Sequence, residues 1–237
     1  VIFVVNHPSW WDPLIGLISS GHLSPSRAHF APIEMTGLKQ YPFLEKLGFF
    51  GVETGTHRGG LGFLSISQAI MAEPEATLWI TAQGEFVDPR TRPVVLKDGI
   101  GHLAYRLANA LIIPMALEYP FWNDRCPEAL VRFGKPIEIG KGREHSPAEW
   151  RTIVESCLEE CQNVLAVEAR GRDPGAFVTI LGGAAGVGGV YDLWRRFRSA
   201  LRGARFQPEH SVRPNRAEPD DKHTPSSPAD RVSTQQI

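Results

Sequence analysis

The chain opens on an unbroken apolar run, Val1-Ile2-Phe3-Val4-Val5. A short run rich in β-branched residues, with no polar alternation, reads as a strand covered on both faces, as in parallel sheets. Asp12-Pro13 followed by Leu14, Ile15, Leu17 and Ile18 predicts a helix with an acidic cap and proline at its first position. Further strands are expected at residues 29–33, Phe49–Val52, 77–80, 111–117 and Leu130–Phe133. Helices are expected at 38–47, with Pro42 arguing against its start, and at 61–71 through Leu61, Leu64, Ile66, Ala69 and Ile70. Two more follow at 100–108 and 147–167, the last with Trp150, Ile153, Val154 and Leu158 on one side. Strand and helix alternate at least four times. That order predicts an α/β domain whose ligands gather beyond the strand ends.

The pattern changes after about Gly171. Residues 1–170 read as the folded domain, 171–206 as a Gly-rich apolar segment followed by a basic amphipathic helix, and 207–237 as a disordered tail rich in Pro, Ser, Asp and Arg. The chain begins inside a strand pattern, without Met or a signal segment, so it reads as a piece that has lost its natural N-terminus.

Composition narrows the classes. At 237 residues the chain is long enough for one substantial core. A formal net charge of −1 gives no global positive field for nucleic acid. Cys126, Cys157 and Cys161 make neither a disulfide framework nor a zinc set. Cys157 and Cys161 stand four apart on a helical pattern, which suits packing in a reducing compartment.

The candidate chemistry follows the first strand, in Asn6-His7-Pro8-Ser9-Trp10-Trp11-Asp12. A neutral imidazole can accept a proton near physiological pH, and a carboxylate on its other nitrogen fixes the tautomer and stabilises the imidazolium. His7 and Asp12 have the residue types for that pair. The same spacing also fits an Asp12 that only caps a helix, with Pro8, Trp10 and Trp11 as turn and packing residues. No Gly-x-Ser-x-Gly elbow marks a nucleophile, so the simpler scheme has no acyl-enzyme.

A second polar cluster, Trp79-Ile80-Thr81-Ala82-Gln83-Gly84-Glu85, ends another strand. Such a turn can bring backbone N–H groups to an anion or a developing oxyanion. Arg90 and Arg92 beyond it could hold phosphate or carboxylate, or form a solvated basic turn with Pro89 and Pro93. His57-Arg58-Gly59-Gly60 precedes a helix, where a phosphate could sit at the N-terminus. His102 reads as a packed or capping histidine.

Taken in order, these segments resemble the glycerolipid acyltransferases, the lysophosphatidate-acyltransferase-like group, over residues 1–168. His7 to Asp12 resembles their HxxxxD motif. Leu47-Gly48-Phe49-Phe50-Gly51-Val52 falls at the second block, and Ala82-Gln83-Gly84-Glu85 where the family has Phe-Pro-Glu-Gly. Ile113-Pro114-Met115-Ala116-Leu117 resembles the fourth block, and Gly134-Lys135-Pro136-Ile137 the family's Gly-x-Pro-Ile. The resemblance implies an αβ sandwich around a mixed, mostly parallel sheet. It implies a lipid-biosynthetic O-acyltransferase at the cytoplasmic face of a membrane, peripheral or monotopic. His7 would be the base and Asp12 its partner. Arg58, Gln83, Gly84, Glu85, Arg90 and Arg92 would lie on the acceptor side, and Pro114 on the acyl side. The donor would be acyl-CoA or acyl carrier protein and the acceptor a lipid hydroxyl, with no cofactor, no metal and no nucleic acid.

The departures bear on the acceptor. The family's second block usually ends in an arginine for glycerol phosphate, whereas Val52 is followed by Glu53-Thr54 and Arg58 is out of register. Gln83 stands where a Glu is usual and Ala82 where a Pro is usual, a form resembling a bacterial branch linked to glycolipids or glycosylated carotenoids. Acceptors therefore range from 1-acyl-sn-glycerol-3-phosphate to a sugar hydroxyl, with a catalytically weak lipid- or glycolipid-binding relative as the alternative. Residues 176–191 carry no charge but are short and Gly-interrupted for a bilayer span of about 20 residues. Trp194, Phe197 and Leu201 share a helical face beside Arg195, Arg198, Arg202 and Arg205, a mixture suited to an anionic lipid surface or to a packed terminal helix.

Overall fold

The computed structural model describes residues 1–123 and 126–182. Among the described residues the strands are β1 (Ile2–Val5), β2 (Ala28–Glu34), β3 (Phe49–Val52), β4 (Ala76–Thr81), β5 (Ala108–Glu118), β6 (Leu130–Phe133) and β7 (Ile137–Lys141). The α-helices are α1 (Asp12–Leu23), α2 (Met35–Gln40), α3 (His57–Met71), α4 (Gly99–Arg106) and α5 (Pro147–Gly171). The strands form one mixed sheet in the order β3-β2-β4-β1-β5-β6, with β7 also on β5. The pairs from β3 to β5 are parallel, and β6 and β7 run antiparallel to successive halves of β5. The α/β class expected from the alternation is what the chain adopts.

The expected helix over 38–47 is two elements. Pro42 cannot donate into a helix and pushes Tyr41 out of the helical region, to φ −127°, so α2 stops at Gln40 and a 3-10 turn, Pro42–Leu47, follows. β7 has no counterpart among the expected strands. Its short, half-buried Ile137-Glu138-Ile139 alternation is hidden behind Pro136. α3 begins four residues before the expected start, where Thr56 caps it by accepting from the Gly59 N–H at 3.0 Å.

Period-two alternation divides β1 between two cores. Ile2 and Val4 point to one face, with Leu78, Ile80 and Ile112, and meet Leu64 of α3, Leu103 of α4 and Trp150, Val154 and Leu158 of α5. Phe3 and Val5 point to the other, with Trp79 and Met115, where Ile15 of α1 packs. Phe3 stacks on Trp79 at 4.2 Å between ring centroids. α5 starts with a full capping box between Ser146 and Glu149.

One departure from a continuous sheet shapes the site. β2 pairs with β4 only through Ala28, His29 and Phe30. Its remaining residues, Ala31 to Glu34, pair with β3 alone. The two strands part, leaving a fork between residues 31–34 and 79–82. Ala31 N–H donates to Gly48 O on the β3 side. By strand alternation the next nitrogen, at Pro32, faces the fork. Proline has no N–H there, so that position leaves no unpaired donor in the opening.

The expected amphipathic helix over 192–202 and the tail from 207 lie outside the described residues, as does most of the segment over 176–191. Among the described residues no helix is long and apolar enough to cross a membrane.

Candidate active site

β1 delivers the site. Beyond Val5 the fully buried Asn6 completes the ladder with its side chain. Its amide donates to Leu117 O at 3.0 Å and accepts from Leu117 N–H at 2.7 Å. This stands in for one more peptide of the strand and frees the backbone to turn at His7. His7 is then held on both sides by the segment after β4. Its N–H donates to Gln83 Oε1 at 2.8 Å, and its carbonyl accepts from Val87 N–H at 2.9 Å.

The turn returns Asp12 to the histidine. His7 Nδ1 lies 2.7 Å from Asp12 Oδ2, which also accepts Ser9 N–H at 3.2 Å. Asp12 Oδ1 accepts the Tyr119 hydroxyl at 2.7 Å. In a neutral imidazole, an Nδ1–H donated to this carboxylate leaves the lone pair on Nε2. Asp12 is buried, and it sits at the first residue of α1, where the helix dipole favours negative charge. It is not the side-chain cap expected from Asp12-Pro13; the cap position is Trp11, with no side-chain cap bond. Burial first, then the hydrogen bond to Asp12 and its charge, raise the Tyr119 phenol far above its ordinary range, which keeps it a donor. The ring of Phe86 lies 4.5 Å from the His7 imidazole between centroids.

Both His7 and Asp12 line a cavity of about 470 Å³, within the range of small-molecule sites. The cavity occupies the fork: residues 31–34 form one wall and 79–82 the other. Phe30, Phe49, Phe63, Trp79 and Met115 make it largely apolar. Glu34, Glu53 and Lys97 add charge. His29 also lines it, with both ring nitrogens engaged: Nε2 on Ser24 O at 3.0 Å and Nδ1 accepting from the Trp79 indole at 3.1 Å. A larger, shallower depression of about 740 Å³ lies along α5 around Glu155 and Glu159, away from this pair. Among the described residues no group of three or more His, Cys, Asp or Glu could hold a metal ion.

The remaining candidates divide. Gly84 lines the cavity in the left-handed region, φ 70°, against the Lys97 side chain. Its N–H donates to Thr81 O at 3.0 Å, so that one N–H is engaged within the turn. Gln83 is buried and turned onto His7; it braces the His7 backbone and does not line the cavity. Glu85 is exposed and 3.9 Å from Lys97 Nζ, which itself lines the cavity. Arg90 sits 3.7 Å from Glu118, and Arg92 bonds Asn163 of α5 and two carbonyls of its own loop. Neither arginine lines the cavity. Arg58 is exposed in the first turn of α3, beside Thr56 and Gly60, which do line it. Pro114 is buried within β5 and paired with Val4; its neighbour Met115 is the one that reaches the cavity. His102 is exposed on α4, not packed.

Asn6, Tyr119 and Lys97 are the contributors that sequence reasoning passed over. Asn6 carried a signal, as a polar residue closing an apolar strand. Tyr119 carried none, since its role rests on a contact across 107 residues. Compared with known proteins, the chain matches no family model and no curated sequence.

Proposed function

We propose that this protein is an O-acyltransferase that moves a fatty acyl group from a thioester, acyl-CoA or acyl carrier protein, to a hydroxyl of a lipid acceptor. The observation that carries the reading is the His7–Asp12 pair, 2.7 Å apart, at the wall of a largely apolar cavity. Among the described residues no Ser, Thr or Cys side chain bonds to His7, which favours direct attack over an acyl-enzyme.

In this reading His7 Nε2 takes the proton from the acceptor hydroxyl as its oxygen bonds to the thioester carbonyl carbon. Asp12 stabilises the imidazolium that forms. Collapse of the tetrahedral intermediate breaks the C–S bond, and the imidazolium returns its proton to the leaving thiolate. Ester and free thiol are the products, so proton and leaving group both balance. No metal or cofactor takes part.

The fork suits the acyl chain, because its walls are apolar and its backbone edge carries no stray donor at Pro32. Trp10 and Trp11, 72% and 53% exposed, and Leu14 and Leu17 form an apolar patch along α1, with Pro13 and Leu17 also lining the cavity. Such a patch beside the opening supports contact with a membrane surface at the cytoplasmic face, from which a lipid could enter. The same features support the glycerolipid-acyltransferase-like sandwich as the finer description of the fold. A lipid-binding relative without turnover would use the same cavity, but three donors converging on Asp12 orient a base that such a protein would leave idle.

The test is release of free thiol from an acyl thioester upon adding candidate lipid alcohols, with the ester identified by mass spectrometry. Acceptor-dependent release is expected and is lost in His7→Ala. Turnover unchanged in His7→Ala overturns the mechanism, and binding without turnover across both donor types selects the binding protein.

A further inference from the structure

Charge at the cavity sorts the acceptors. Asp12, Glu34 and Glu53 line it, against a single Lys or Arg among the described residues, Lys97. That ammonium is itself shared with Glu85 at 3.9 Å. Arg58, Arg90 and Arg92 stay off the wall, the last two on partners of their own. His29 offers no free nitrogen, since both engage Ser24 and Trp79.

At the N-terminus of α3, where Thr56 and Gly60 line the cavity, two N–H groups are already taken. Thr56 Oγ1 takes the Gly59 N–H at 3.0 Å, and Thr56 O takes the Gly60 N–H at 3.1 Å. Backbone packing fixes a carboxylate residue beside it: a Cβ on Gly59 would fall 1.7 Å from Glu53 O, so only glycine lets α3 press onto Glu53. On the same arm, Glu34 Oε1 accepts from Thr54 Oγ1 at 3.4 Å. Carboxylates and threonines of this kind accept from and donate to sugar-like hydroxyls, and they repel a phosphate dianion.

Resting on the acyl-transfer reading, we infer that the acceptor carries an uncharged polyhydroxyl headgroup, as in a monoacylglycerol or a glycosylated lipid, and not a phosphomonoester. Glu34 and Glu53 are the residues that impose the choice, by repelling phosphate and by accepting from hydroxyls.

The test needs no catalysis. The intact chain is loaded with a fluorescent fatty-acid probe, and two competitors of equal acyl length, a monoacylglycerol and its 3-phosphate, are titrated against it. The neutral competitor is expected to displace the probe at a concentration about tenfold lower. Glu34→Gln combined with Glu53→Gln is expected to narrow that gap several-fold, and the gap should shrink with added salt. Equal or tighter binding of the phosphate, failure of both to displace the probe, or a gap unchanged in the double variant each overturns the inference. Adding acyl-CoA separates the two claims. Neutral preference without ester formation counts against acyl transfer alone, and ester formation on the phosphate in preference to the neutral lipid counts against the acceptor class alone.

Discussion

The hydroxyl of Tyr119 donates to the one oxygen of Asp12 that His7 does not use, at 2.7 Å, from the strand end where Asn6 is also anchored. The His7 imidazole is therefore oriented by a carboxylate that is itself oriented from β5. Tyr119→Phe is expected to remove about 1.5–3 kcal/mol of stability, the value of a hydrogen bond to a charged group. It should lower kcat about tenfold while leaving the KM for acceptor nearly unchanged, since the phenol faces Asp12. Thermal melting and steady-state kinetics on one preparation check both numbers.

Asp12→Asn separates geometry from charge. Three donors point at this side chain, and an amide can meet only part of them without turning its own N–H groups on Ser9, Tyr119 or His7. The variant is expected to favour the wrong imidazole tautomer and to lose at least about a hundredfold in kcat. His7→Ala should lose about a thousandfold or more, with circular dichroism unchanged.

Gln83 decides between bracing and binding. Its Oε1 holds the His7 N–H inside the protein. Gln83→Leu is expected to leave that N–H unpaired, at about 1–3 kcal/mol, and to lower kcat with little change in acceptor affinity. A loss confined to acceptor affinity would return Gln83 to the substrate side.

Glu118 gives a pH signature. Burial, the largest cause, raises its carboxyl above the ordinary range even though Arg90 opposes the shift. The native state thus prefers the protonated form. Its stabilising effect is complete below the unfolded-state value and is lost as pH rises through the folded-state value. Relative to the parent, Glu118→Gln should gain in melting temperature as pH rises from about 4, the ordinary glutamate value, toward neutrality. A difference that stays flat across that window would contradict the assignment.

Cys161 is buried, donates its thiol to Arg132 O at 3.3 Å, and has its thiol pushed up to about 11, first by burial. A thiol reagent near neutral pH should label exposed Cys126 in the folded protein and reach Cys161 only after unfolding. Mass mapping of labelled peptides reads this directly.

What could be read in advance follows the range of the interactions. Val1 to Val5 announce a covered strand because both faces of β1 are apolar, and His7 and Asp12 meet because a turn and one helix start suffice to join them. The break at Pro42 is equally local, yet only the structure shows that α2 ends before it. The rest depends on partners far along the chain. Gln83 looks like a ligand group until its oxygen is found on the His7 backbone. Arg92 looks like an anion clamp until Asn163 of α5 takes it. Tyr119 has no local pattern at all. The fork is hidden for another reason: residues 31–34 remain a good strand by composition, and only the choice of neighbour, β3 alone, opens the space.

That parting also divides the molecule mechanically. β1 is tied into ladders on both sides, so displacing His7 means breaking hydrogen bonds to β4 and β5 together. By strand pairing, residues 31–34, with β3, are joined to the centre only at the root formed by Ala28, His29 and Phe30. Guests of different girth are therefore expected to displace this outer arm, at the expense of side-chain packing and of the α3 backbone contact at Glu53, while the spacing between imidazole and carboxylate stays where the central strands hold it.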